Sequence, residues 1–125
     1  MTVKKILIVD DEERIREVVS MCLTKLAKWE VIAVATAMEA IQKALEWQPH
    51  AILLDVSMPN MNGLEMLQQL QGHPRTVSIP VIFLTAKVQP NEKLLYQQLG
   101  IAGLIIKPFN PVEIAKEISH LLGWT

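Results

Sequence analysis

Five short apolar runs recur along the 125-residue chain: Ile6–Val9, Val31–Ala35, Ala51–Leu54, Val81–Leu84 and Leu104–Ile106. Each is apolar throughout rather than alternating, and most are rich in β-branched side chains. A strand with one wet face alternates polar and apolar residues, whereas a strand covered on both faces does not. The pattern therefore predicts five short strands buried on both sides.

The intervening segments carry a different period. Ile15, Val18, Val19, Cys22, Leu23 and Leu26 form one apolar stripe at helical spacing. Ala37, Ala40, Ile41, Ala44 and Leu45 repeat it, and Leu64, Leu67 and Leu70 give a shorter version. Leu94, Leu95 and Leu99 mark a fourth helix, and Ile114, Ile118, Leu121 and Leu122 a fifth. Thr36 to Glu39 reads as a capping box. Asn110-Pro111 offers a cap followed by a proline at the first helical position, with Glu113 in the first turn. Gly72 and Gly100 follow helical runs, where a left-handed C-cap is inexpensive for glycine.

The order is thus β-α repeated five times. That predicts one domain over residues 1–125, an α/β fold with a parallel sheet, helices on both faces and right-handed crossovers. Such sheets build their sites outside the carboxyl ends of the strands. The residues just after each apolar run are therefore the ones that matter.

Composition narrows the function without naming it. Half the residues are apolar and a fifth charged, as expected of one folded domain. A net charge of -1 gives no electrostatic footprint for nucleic acid. The single Cys22 excludes an internal disulfide and shows no zinc-ligand spacing, which fits a reducing, cytoplasmic setting. The first residues do not read as a signal peptide, because acids follow a short apolar run at once. No uncharged stretch approaches the roughly 18 apolar residues needed to span a bilayer. His50, His73 and His120 lie far apart and read as surface residues, and Cys22 reads as a small core residue.

The strand ends are chemically loaded. Asp10, Asp11, Glu12 and Glu13 follow the first run, Asp55 the third, Thr85 the fourth and Lys107 the fifth. Acids near a helix start also serve its first turn, and Asp55 alone would suit a turn. Taken together, however, the set suggests more. Carboxylates brought close either share protons or hold a cation, and all-oxygen ligands favour Mg²⁺, Mn²⁺ or Ca²⁺. A lysine and a hydroxyl opposite them complete a cradle for a phosphoryl group. Asp can form an acyl phosphate, and Asp55 ends the central run with no second acid beside it.

These residues give the chain its resemblance to the receiver domain of two-component response regulators, the CheY-like family. The resemblance rests on Asp10-Asp11, on Asp55 with Met58-Pro59 and Gly63, on Thr85-Ala86 and on Lys107-Pro108-Phe109, and spans essentially the whole chain. It implies the strand order 2-1-3-4-5. It implies that Asp55 accepts a phosphoryl group from a sensor histidine kinase or phosphotransfer protein. Mg²⁺ (or Mn²⁺) would be held by Asp10, Asp11, Asp55 and the backbone carbonyl of Ser57. Thr85 and Lys107 would contact the phosphoryl group, and Lys107-Pro108 is where the family often has a cis peptide bond. The switch would remodel the surface of the fourth helix, fifth strand and fifth helix, where a downstream protein target docks. Leu104 stands where receivers usually carry Tyr or Phe, so the aromatic part of the switch differs here. Ser57 and Lys87 are expected to tune hydrolysis of the acyl phosphate.

Other classes fit less well. A phosphohydrolase using an aspartyl phosphate would want a second acid two residues after the nucleophile, where Ser57 stands. A nucleotide-binding module would want a glycine-rich loop after the first strand, where acids stand instead. The chain is expected to act by protein–protein contact, without an output domain or a separate substrate. A receiver cut from a longer multidomain regulator is the remaining alternative.

Overall fold

The computed structural model describes residues 3–57, 63–86 and 90–124. Its elements are β1 (Lys5–Val9), α1 (Glu13–Lys25), β2 (Glu30–Val34), α2 (Ala37–Trp47), β3 (Ala51–Asp55), α3 (Gly63–Gln71), β4 (Val81–Thr85), α4 (Pro90–Gln98), β5 (Gly103–Ile106) and α5 (Ile114–Leu122). The strands form one parallel sheet in the order β2-β1-β3-β4-β5. The resemblance implied that order; periodicity alone did not.

Side-chain alternation divides the core into two layers. Leu7, Val9, Ile52, Leu54, Val81 and Phe83 face α2, α3 and α4, packing against Ala40, Ala44, Met66, Leu67 and Leu70. Ile6, Ile8, Leu53, Ile82, Leu84 and Ile105 face the other way, against Val19 and Leu23 of α1 and Ile114 and Ile118 of α5. The three inner strands are buried on both faces, as their unbroken apolar runs predict. The edge strands β2 and β5 are only partly covered, because each lacks a neighbour on one side.

Several local expectations change. β2 begins and ends one residue earlier than its apolar run suggests. Asp55 and Thr85 are the last residues of their strands rather than the first beyond them. Thr36 does cap α2: its hydroxyl oxygen accepts from the Glu39 N–H at 3.2 Å and donates to the Glu39 carboxylate at 3.0 Å. Asn110 Oδ1 accepts from the Val112 N–H, but Pro111–Glu113 forms a 3₁₀ turn before α5 begins. Gly100 takes the left-handed backbone, whereas Gly72 does not, because its N–H still donates to Gln68 along the helix. Gly123, which the pattern did not single out, is the left-handed cap of α5. Cys22 is half-buried rather than in the core, since only Val19 and Leu23 of the α1 stripe face fully inward.

The opposite end of the sheet is tied down by aromatics. Trp29 and Trp124 meet edge to face, with ring centroids 5.4 Å apart, and the Lys4 ammonium lies over Trp124. His50 is not a free surface residue: its Nδ1 accepts from the Lys5 N–H, and its own N–H donates to the Lys5 carbonyl. His73 and His120 are exposed, as expected.

Candidate functional site

Strand register brings the loaded positions to one edge. Val9 pairs with Leu54, Asp55 with Leu84 and Thr85 with Ile106, so the carboxyl ends of four strands finish level. Parity then decides which side chains meet. Asp10 continues the alternation of Ile6 and Ile8, Asp55 that of Ala51 and Leu53, and Lys107 that of Ile105. All three belong to the α1/α5 side of the sheet. Thr85 follows Val81 and Phe83 on the other side, the side Leu104 also packs on.

Asp55 is 1% exposed and has both oxygens engaged. Its Oδ1 accepts from the Ser57 N–H at 2.8 Å and the Ser57 hydroxyl at 2.6 Å, and its Oδ2 accepts from Lys107 Nζ at 2.8 Å. Burial pushes the carboxyl up. The Lys107 hydrogen bond and the two Ser57 donors outweigh that and hold it below the usual carboxylate range. The acid is therefore ionised although buried, which is the state a nucleophile needs.

Asp10 is 0% exposed and differently placed. Its Oδ1 accepts from the Glu12 N–H at 2.9 Å, while its Oδ2 is buried with no hydrogen-bond donor among the described residues and lies 3.5 Å from Lys107 Nζ. Arg16 donates to the Asp10 carbonyl at 2.8 Å and fixes the backbone there. Burial, with the Asp55 charge adding to it, pushes the Asp10 carboxyl up to about 6 against the opposing Glu12 hydrogen bond. Lys107 is driven up despite its burial, by Asp55 first and then by Asp10 and Glu12. Lys107-Pro108 is a cis peptide bond.

The donor set fits a hard divalent cation. Asp10, Asp11, Glu12 and Asp55 each place a carboxylate oxygen within 4.8 Å of the others. An orphaned, buried Asp10 oxygen aimed into such a cluster is costly unless a cation meets it. All-oxygen ligands with two buried carboxylates suit Mg²⁺.

Of the residues singled out in the sequence, Asp10, Asp11, Asp55, Ser57 and Lys107 come together here. Thr85 is 6% exposed at the end of β4, and its carbonyl accepts from the Lys107 N–H at 2.7 Å. Leu104 is half-buried one strand over, packed on the Phe83 side, where Tyr96 sits edge to face on Phe83 at 5.5 Å. Lys87, Met58 and Met61 lie outside the described residues. Two contributors were missed. Glu12 reads in sequence as a helix-start acid, yet its Oε1 is 3.8 Å from Lys107 Nζ. Arg16 is not singled out by the sequence pattern. Its one sequence signal is that it lies one helical turn past Glu12, on the side that returns over the first strand end.

Gly63 explains itself sterically. A Cβ there would come within 2.6 Å of Val56 Cγ1, so the start of α3 closes tightly over the residue that follows Asp55.

Comparison with known proteins places this geometry. Residues 6–119 match the response regulator receiver domain family. The phosphate regulon transcriptional regulatory protein PhoB of Pseudomonas aeruginosa is 35% identical over 125 residues, covering 100% of this chain and 54% of PhoB. The alkaline phosphatase synthesis transcriptional regulatory protein PhoP of Bacillus subtilis is 35% identical over 95% of this chain and 48% of its own length. The chain thus spans about half the length of these curated relatives. The structure of chemotaxis response regulator CheY4 of Vibrio cholerae superposes with a TM-score of 0.86 at 33% identity, covering 96% of this chain and 99% of that one. No helix among the described residues is long and apolar enough to cross a membrane. With the doubly wound sheet, the convergent acids and lysine, and a family match over nearly its whole length, the chain belongs to the receiver domains of two-component response regulators, which are signalling switches.

Proposed function

We propose that Asp55 accepts a phosphoryl group from the phosphohistidine of a sensor kinase or phosphotransfer protein, in a reaction that requires Mg²⁺. The observation that carries this is the Asp55 carboxylate itself. It is buried at the end of the central strand, ionised by Lys107 and Ser57, and faces an unsatisfied Asp10 oxygen.

Asp10, Asp11, Asp55 and the Ser57 carbonyl would hold the cation. When bound, Mg²⁺ supplies charge neutralisation for the acids and for the phosphoryl oxygens. An Asp55 oxygen forms the new bond to phosphorus as the phosphorus–nitrogen bond of the donor breaks. The bonding pair leaves with the imidazole. Lys107 is already oriented at the acceptor and exchanges part of its carboxylate contact for the incoming phosphoryl charge. Thr85 offers a neutral donor from β4. Loading the site then shifts the α4-β5-α5 surface, where a downstream protein binds, through a two-state change biased by the new charge. With Ser57 in place of a second acid, hydrolysis is slow and the group persists as a signal. The unit acts in the cytoplasm and turns over no separate substrate.

The test is intact-mass measurement after mixing with acetyl phosphate, with Mg²⁺ or with excess chelator, alongside Asp55→Asn. One phosphoryl group gained by the wild type only with Mg²⁺, and none by the variant, supports the reading. Equal gain by the variant, or no gain by either, overturns it.

The half-length match to transcriptional regulators supports a second arrangement, in which this receiver is part of a longer multidomain regulator. The mass of the native protein from its own cells decides between that and a stand-alone regulator.

A further inference from the structure

Three carboxylates share the Lys107 ammonium, and they are not equivalent. Asp55 and Asp10 are buried, at 2.8 Å and 3.5 Å. Glu12 is 3.8 Å away and its side chain is 62% exposed. Glu12 also stands on the wall of a groove of about 470 Å³, lined otherwise by Ile15, Ala86, Lys107, Pro108 and Phe109. Among the described residues, that lining is apolar apart from Glu12 and Lys107. Lys107 lines this groove and also holds Asp55 at 2.8 Å, so the groove adjoins the acceptor and offers a seat for part of a phosphodonor.

Charge decides what that seat tolerates. A cation among Asp10, Asp11, Glu12 and Asp55 would be shared by all four acids, whereas Lys107 is held at shorter range by Asp55 and Asp10 than by Glu12. Glu12 is the outermost of the three, and its longer contact to Lys107 offsets it least. An approaching donor therefore meets a fixed negative charge at the groove wall, in a nearly aqueous dielectric. A donor carrying more negative charge is disfavoured relative to one carrying less.

We propose that Glu12 is a specificity-determining residue, whose exposed carboxylate on the wall of this groove biases phosphoryl transfer toward donors of lower negative charge. The proposal rests on the reading of Asp55 as acceptor and assigns that site a preference. In each transfer an Asp55 oxygen bonds to phosphorus. With acetyl phosphate the phosphorus–oxygen bond breaks and the pair leaves with acetate. With phosphoramidate the phosphorus–nitrogen bond breaks, and the pair leaves on the already protonated nitrogen as ammonia.

The experiment compares dianionic acetyl phosphate with monoanionic phosphoramidate at neutral pH, each variant at saturating Mg²⁺, with phosphorylation followed by intact mass. Wild type, Glu12→Gln, Glu12→Asp and Glu12→Lys are taken through both donors at low and at high salt. Removing one unit charge at such a separation is expected to raise the acetyl phosphate rate constant about threefold relative to that for phosphoramidate in Glu12→Gln. The change should lie in KM rather than in the maximal rate, grow in Glu12→Lys, stay near the wild-type ratio in Glu12→Asp, and shrink in high salt. An unchanged donor ratio in Glu12→Gln and Glu12→Lys overturns the inference while leaving Asp55 as acceptor. A uniform loss with both donors also overturns it, and assigns Glu12 to holding the site together. Failure of the wild type with both donors overturns the acceptor reading, and this inference with it.

Discussion

Lys107 Nζ donates to Asp55 Oδ2 at 2.8 Å, although 52 positions separate the two residues in the chain. The bond holds down the pKa of a carboxyl that burial pushes up. It also makes one ammonium the counterion of both buried acids.

Replacing that ammonium should therefore act through Asp55. In Lys107→Met, Asp55 loses the strongest influence lowering its pKa, so its carboxyl titrates at higher pH. Phosphorylation by acetyl phosphate is expected to fall tenfold or more, on the order of the loss seen when one preorganised charge is removed from a site. The deficit should be larger in mildly acidic buffer than in neutral buffer. Rate measurements at both pH values check this. An equal deficit at both would mean that Lys107 does not act through Asp55 ionisation.

Asp10 predicts a gain of stability on mutation. Its folded-state pKa of about 6 lies above the ordinary value of 3.8, so the folded chain prefers the protonated acid. That contribution is complete below pH 3.8 and is lost as pH rises through about 6. At neutral pH without metal, Asp10→Asn should be more stable than wild type by about 2–3 kcal/mol, since the amide keeps an acceptor for the Glu12 N–H and removes the buried charge. Adding Mg²⁺ should stabilise the wild type and leave the variant nearly unmoved. Chemical denaturation with and without metal measures both effects.

His50 titrates with the opposite sign. Partial burial, with Lys4 and Lys5 nearby, holds its pKa below the ordinary 6.5. Its contribution is complete above pH 6.5 and is lost as pH falls below that, because protonation removes the Nδ1 acceptor used by the Lys5 N–H. His50→Ala should be less stable than wild type by about 1 kcal/mol at neutral pH, and the gap should narrow in acid. Thermal melts of the two proteins across that range check it.

Gly63→Ala should cost about 1–3 kcal/mol, because the new methyl meets the stiff, β-branched Val56 rather than a flexible side-chain end. The same variant should slow phosphorylation, since Val56 directly follows Asp55. A melt that matches wild type would show that α3 moves aside freely.

Much of this protein was settled by its sequence. Unbroken apolar runs separated by helical stripes leave little choice but a covered parallel sheet, because only burial on both faces tolerates strands without polar positions. Alternation of strand and helix then puts Asp10, Asp55, Thr85 and Lys107 at one edge. Thr36 and Asn110 announced helix starts, since a cap depends on neighbours two or three residues away.

The tertiary structure decided everything that depends on register and on space. Parity along β1, β3 and β5 sends Asp10, Asp55 and Lys107 to one side of the sheet and Thr85 to the other. No local pattern states which strands pair, so no local pattern could state which side chains meet. The same holds for the half-covered edge strands, for His50 seated against Lys5, and for Glu12, whose role as a helix-start acid is local while its place beside Lys107 is not. Short-range chemistry is written into neighbouring residues. The sharing of one ammonium by three acids exists only once the strands that carry them lie side by side.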